Sequence, residues 1–247
     1  MKHIYNWKRQ PIDMRDYKVE EHFKLTAAPL PVKTDLRDYM SAVEDQGQLG
    51  SCTGNAIVGA LEYLENKQKL TFADLSRLFV YYNERVIEGT VSQDSGAIIR
   101  DGIKSLVTYG VCKETACPYN IKQFTHKPTK TAYKEAAKRK ITTYASVAQT
   151  ETGLKTVLAS GYPIVFGFEV YDAFESAEVA KTGIVPMPSG QSIGGHAVLI
   201  VGHDDTTRRF TVRNSWSADW GDKGYFYMPY DYVLDNRYSD DFWVVNK

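Results

Sequence analysis

The sequence predicts an α+β protein of two lobes, the first mainly helical and the second rich in β-structure. Three observations carry that prediction. Between Ser51 and Lys140 the apolar residues recur at helical spacing. After Pro163 they gather instead in short β-branched or aromatic runs. Clusters of Gly, Asp and Thr, such as Asp204-Asp205-Thr206-Thr207, punctuate those runs. The expected division is a strap at 1–35, a helical lobe at 36–140 and a β-rich lobe at 141–247. A cleft between two such lobes is a common place for a site.

Taken in order, residues 1 to about 35 are polar and irregular, with Pro11, Pro29 and Pro31 breaking any helix. Trp7, Ile12, Tyr17 and Phe23 are spaced as anchors for a strap lying over a surface. Ser51 is an N-cap residue type, and Ala56, Ile57, Val58, Ala60, Leu61 and Leu64 follow it. Their apolar surface covers nearly every face, so this helix should run through the interior. Further helices are expected near Leu75–Val86 and Ile98–Tyr109, the latter stopped by Gly110. A charged, exposed helix is expected over Lys130–Lys140, and a short one over Thr152–Ala159, ending at Gly161. Strands are expected at Ile164–Val170, His196–Val201, Phe210–Arg213, Tyr225–Met228 and Phe242–Val245.

Thirty Lys and Arg balance thirty Asp and Glu. A phosphate-binding surface needs basic excess, so no nucleic-acid partner is expected. The longest apolar runs are strand-length, short of the ~20 residues that span a bilayer, so no membrane partner is expected either. Met1 through Lys18 lack the apolar stretch of a Sec-type signal. Cys52, Cys112 and Cys117 are too few for a disulfide framework. The expected location is the cytoplasm, or export by a route that does not use an N-terminal Sec signal.

Cys52 sits in Gln46-Gly47-Gln48-Leu49-Gly50-Ser51-Cys52-Thr53. In the first turn of a buried helix its sulfur meets the positive end of the macrodipole, which favours thiolate. Gly47 and Gly50 would let another chain approach. A thiolate needs a proton partner, and His196 opens an apolar strand directly behind Gly194 and Gly195. His203, after the same strand, is expected to be solvated. Asn214 would orient the His196 ring, with Trp216 and Trp220 shielding their hydrogen bond from water. Cys112 and Cys117, five residues apart, do not make a zinc pair, and Cys112 is expected to be a buried structural residue.

Together these residues resemble the papain-like cysteine peptidases, whose His and Asn lie roughly 130–150 residues after the Cys. His196 lies 144 residues after Cys52 and Asn214 lies 162 after it, the second gap slightly long. Gln46 matches the family's oxyanion-hole glutamine. Gly195-His196-Ala197 and Asn214-Ser215-Trp216-Ser217-Ala218-Asp219-Trp220-Gly221 look like its His and Asn blocks. Asp94-Ser95-Gly96, then Gly110-Val111 through Pro118-Tyr119, resemble its substrate-binding loop and the helix beyond. The likeness runs from about Asp35 to the C-terminus.

The resemblance implies a papain-like two-lobe fold, with a central catalytic helix and an antiparallel, barrel-like second lobe. It implies a cysteine endopeptidase that needs no metal or organic cofactor and acts on proteins or peptides. Cys52 would attack as thiolate, His196 would hold the ion pair and Asn214 would orient it. Gln46 and the Cys52 N–H would stabilise the oxyanion. Such an ion pair rests on a lowered thiol pKa and a raised imidazole pKa, giving a bell-shaped rate profile. Mapped by motif, Ala97, Ile98, Gly167, Gly194 and Ala197 would surround the main selectivity pocket, with Asp240 or Asp241 at its floor. An aliphatic or aromatic preference follows. Ser95, Gly96, Gly195, Trp216 and Trp220 complete the expected substrate-binding set.

Three departures matter. Leu49 stands where family members place a disulfide cysteine, which points to a disulfide-poor prokaryotic or viral-looking branch. Thr53 replaces the aromatic beside the nucleophile. No long helical prodomain precedes Asp35, so any zymogen role falls to the strap, which is expected to lie in or beside the cleft and inhibit. Two alternatives stay open: an acyltransferase or transpeptidase on the same fold, and a catalytically silent peptide-binding module.

Overall fold

The computed structural model describes residues 3–26, 29–68 and 73–247; the strap's residues 1–2 and 27–28 lie outside the described residues. The chain enters through α1 (Val19–His22) and β1 (Lys33–Asp35). Four helices follow: α2 (Cys52–Lys67), α3 (Arg77–Glu88), α4 (Ile99–Thr108) and α5 (Lys130–Ala136). The second half holds β2 (Thr143–Ser146), α6 (Glu151–Ala159), β3 (Ile164–Tyr171), α7 (Ala177–Thr182), β4 (Ser192–Asp204) and β5 (Arg209–Arg213). It closes with β6 (Tyr225–Pro229), α8 (Tyr230–Leu234) and β7 (Ser239–Asn246). The sheet order is β2-β7-β3-β4-β5-β6, every pairing antiparallel, and β1 pairs with β4 as well.

The all-round apolar pattern of α2 has a direct cause: every residue from Cys52 to Glu65 is buried. Its two acidic residues are satisfied there, as buried polar groups must be. Glu62 accepts the N–H of Leu75 at 2.8 Å, and Glu65 pairs with Lys247 at 2.5 Å. The helix packs against both α3 and the middle strand β4.

Several expectations need correction. Ser51 occupies the N-cap position of α2, yet its side chain caps nothing; its hydroxyl instead meets Tyr119 and Asn55. The α5 helix stops at Ala136 and is not wholly exposed, because Ala132 and Ala136 pack on Phe79 and Cys112. His203 is not solvated. It belongs to β4, whose ladder continues through Gly202, and is fully buried beside the Tyr230 hydroxyl at 3.3 Å. In the strap, Trp7 is 5% exposed and Phe23 8%, but Ile12 and Tyr17 are 92% and 51% exposed. Between Trp7 and Phe23 the strap is also held by Val19, buried in the core, by an Asp16–Arg100 ion pair at 2.7 Å, and by the Tyr17 carbonyl accepting the Ser146 N–H. Not expected from the sequence were α1, a single helical turn within the strap read as irregular, and α7, α8, β1 and β2, all too short to show periodicity.

Candidate active site

β4 carries His196 opposite Phe168 of β3, in the middle of the sheet. The ring is fully buried and stacks on Trp216, with centroids 4.9 Å apart and planes 19° apart. Trp220 stands edge-on to Trp216 at 5.0 Å. Behind this aromatic cover His196 Nε2 lies 2.8 Å from Asn214 Oδ1. The Ser215 N–H also donates to Oδ1 at 2.9 Å, which identifies that atom as the oxygen. His196 therefore carries its proton on Nε2, and Nδ1, without a hydrogen-bond partner among the described residues, keeps its lone pair.

Cys52 is the first residue of α2 and is fully buried. Its sulfur accepts the backbone N–H groups of Ala197, Thr53 and Asn6. Ala197 directly follows His196 on β4, so one strand carries both the imidazole and a backbone donor to the sulfur. Gln46, also fully buried, is held from three sides. Its backbone N–H donates to the Ser215 carbonyl at 2.8 Å. Its Oε1 accepts from Ser215 Oγ at 2.6 Å, and its Nε2 donates to the Leu49 carbonyl at 3.0 Å. Thr53 donates to Glu84 at 2.5 Å, so a polar contact to α3 replaces an aromatic floor.

The strap crosses this site. Asn6 bridges Gly195 and Trp7 bridges Ala97, both in parallel orientation. The Trp7 N–H donates to the Gly195 carbonyl at 2.8 Å and the Lys8 N–H to that of Ala97 at 3.1 Å. Trp7 lies over Gly167, where an added Cβ would stand 1.9 Å from the indole; only glycine leaves room for it. The indole N–H meets Asp241 at 3.1 Å. On the other side of Cys52, His3 stacks on Trp216 at 3.6 Å, and Tyr5 donates to Glu175, which His3 also contacts. Lys8 pairs with Glu88 at 2.9 Å.

This cover reverses the expected electrostatics. Burial pushes the Cys52 thiol up to about 11, although three N–H groups pull it down. Burial likewise pushes His196 down to about 4, against the pull of Asn214. Between those two values both groups are neutral, Cys52 as a thiol and His196 as an imidazole. The expected thiolate–imidazolium pair is absent from the covered state, because excluding water penalises both charges at once.

The sequence profile of the papain family cysteine proteases matches residues 30–237. The chain belongs to the papain family of cysteine proteases. An uncharacterized peptidase C1-like protein of Acanthamoeba polyphaga mimivirus is 44% identical over 97% of this chain and 84% of its own length. Xylellain, a cysteine protease from Xylella fastidiosa, is 41% identical, with a TM-score of 0.92 over 98% of this chain and 96% of its own. A procathepsin L 3 of Tenebrio molitor larval midgut shares the fold, with a TM-score of 0.72 at 20% identity over 89% of this chain and 71% of its own.

As a papain-family cysteine peptidase the protein has the two-lobe α+β fold of that family. Of the residues expected at the pocket, Ala97, Gly167 and Gly195 meet Trp7, and Gly96 lies against Asn6. Gly194 faces Tyr5 instead. Ser95 turns to Thr90, and the Ile98 N–H is held by Glu88. Asp241, not Asp240, reaches the pocket floor; Asp240 pairs with Arg9 at 3.7 Å. Asp94 and Ser215, which the sequence offers only as members of their motifs, and Glu175, which it does not mark at all, also hold residues of the site, since only their fold neighbours distinguish them from ordinary polar residues.

Proposed function

We propose that this cysteine peptidase is an endopeptidase held in a self-masked form by its own N-terminal strap. One observation carries the reading: the strap is hydrogen-bonded across the groove, Trp7 N–H to the Gly195 carbonyl at 2.8 Å and Lys8 N–H to that of Ala97 at 3.1 Å, with the Trp7 indole over Gly167 and the Asn6 N–H beside the Cys52 sulfur. The Asn6 carbonyl oxygen lies against Gly96, 1.7 Å from where a Cβ there would stand. A strap so held occupies the groove that a substrate would use. Its contacts on both sides of Cys52, at Trp216 and at Ala97, favour a groove that takes the interior of a chain. Tethering raises its effective concentration into the millimolar range for short linkers, so modest contacts suffice.

With the strap withdrawn, water reaches Cys52 and His196, and the burial penalty on both charges relaxes. The thiol proton passes to His196 Nδ1, and the thiolate attacks the scissile carbonyl carbon. The oxyanion that forms is met by the Cys52 N–H and the second amide hydrogen of Gln46. His196 then gives its proton to the leaving amine, and Asn214 keeps the ring in register. Water attacks the thioester, losing a proton to His196, and the acid product leaves. The pocket that Trp7 fills favours an aromatic side chain, Trp above all, because Asp241 can accept an indole N–H.

Deleting residues 1–12 tests the reading, since it empties the groove but spares Val19 and Phe23, which pack in the core. The kcat/KM on small peptides should rise relative to the full-length chain. Unchanged activity with a lowered thermal midpoint would rule out masking.

A further inference from the structure

We infer that Asp94 is a positioning residue that sets the oxyanion hole through the peptide unit joining Leu49 to Gly50. That peptide is gripped at both ends. Its carbonyl accepts Gln46 Nε2 at 3.0 Å. Its N–H donates to both carboxylate oxygens of Asp94, at 3.1 and 3.0 Å. The C=O and N–H of a trans peptide point in opposite directions from one rigid plane. Any rotation that freed the N–H would therefore swing the carbonyl away from Gln46. An ionised acceptor makes the stronger hydrogen bond, and bonds in a chain polarise one another. Asp94 thus both locks the plane and strengthens the Leu49 carbonyl as the acceptor that aims the Gln46 amide.

Asp94 is itself held. Tyr81 of α3 donates its hydroxyl to Asp94 Oδ1 and accepts the Gly96 N–H at 3.2 Å. One carboxylate thereby ties the nucleophile loop to the substrate-binding loop, where all three cysteines are free thiols. Ser215 holds the other end of the Gln46 amide. The glutamine is fixed from two directions, and Asp94 supplies one of them.

This inference rests on the oxyanion role of Gln46 and not on masking. Its test is a double-mutant cycle in the full-length chain, with Trp7→Ala as a common background that weakens the strap. Asp94→Ala should lower kcat at least about tenfold with KM within about twofold, and Asp94→Asn, which keeps one acceptor, should lower it less. In a Gln46→Ala background the Asp94→Ala loss should vanish, because groups that act through each other are not additive. Alkylation of Cys52 by iodoacetamide, which needs no oxyanion hole, should stay within about threefold. An equal kcat loss in both backgrounds, or a matching loss of alkylation, overturns the inference while leaving Gln46 in its role. No kcat loss in Gln46→Ala alone would overturn both. If Asp94→Ala does not fold, Tyr81→Phe takes its place in the cycle, with a several-fold loss that must likewise vanish.

Discussion

Trp7 and Asp241, 234 residues apart in the chain, meet in one hydrogen bond of 3.1 Å between indole N–H and carboxylate. The same carboxylate accepts the Gln10 N–H at 3.1 Å. Asp241 sits in β7 with φ at 62°, a left-handed conformation uncommon for a non-glycine residue. It lies next to an irregularity in the β3–β7 register, the kind of break that re-aims a side chain. Burial, and then the Asp240 charge, push its carboxyl up to about 7.

Masking should therefore depend on pH. With the strap docked, Asp241 holds a proton up to about pH 7, whereas an open carboxylate gives it up near 3.8. Docking gains from that proton at low pH and loses the gain as pH rises from about 4 to about 7. Glu175 acts oppositely: its contacts with His3 and Tyr5 hold its pKa below 4.5, so its support for docking is lost only in acid. The activity ratio of strap-deleted to full-length enzyme should fall as pH rises from about 4 to about 7 and level off above that. Asp241→Asn, which keeps an acceptor for Trp7, should flatten that fall. A ratio that rises with pH would overturn the argument.

Cys52 itself should report the cover. In the full-length chain its alkylation should stay slow until strongly alkaline pH, since burial holds the thiol near 11. After strap deletion the rate should rise at neutral pH, with the bell-shaped kcat/KM of an ion pair. Identical alkylation profiles for the two forms would show that the strap leaves the thiol unchanged.

The three cysteines should separate cleanly. Cys52→Ala should abolish turnover with little effect on folding, because Ala is favourable in a helix. Cys112→Ala should leave the rate within a few-fold, since Cys112 packs with Phe79, Ala132 and Ala136. Residual peptide hydrolysis in Cys52→Ala would transfer the nucleophile's role elsewhere.

Gln46→Ala should lower kcat by about 10²–10³, the usual cost of one oxyanion donor. Ser215→Ala should cost less and act on kcat rather than KM. It leaves Gln46 Oε1 buried without the hydroxyl that orients it. Steady-state kinetics on one peptide decide both.

What the sequence determined by itself lay in local patterns. The helical spacing after Ser51 and the β-branched runs after Pro163 predict the order of the lobes, because burial on one face or all faces leaves its period in the chain. Cys52, His196, Asn214 and Gln46 were legible because their flanking motifs are continuous strings. Only the tertiary structure decided the rest. That Asp94 reaches Gly50, Glu175 reaches Tyr5 and Asp241 reaches Trp7 depends on contacts between residues 44, 170 and 234 positions apart. No local period records such contacts. The pKa directions at Cys52 and His196 belong to the same class. A helix start and a strand mouth predict an ion pair; the strap lying over them excludes the water that would sustain it.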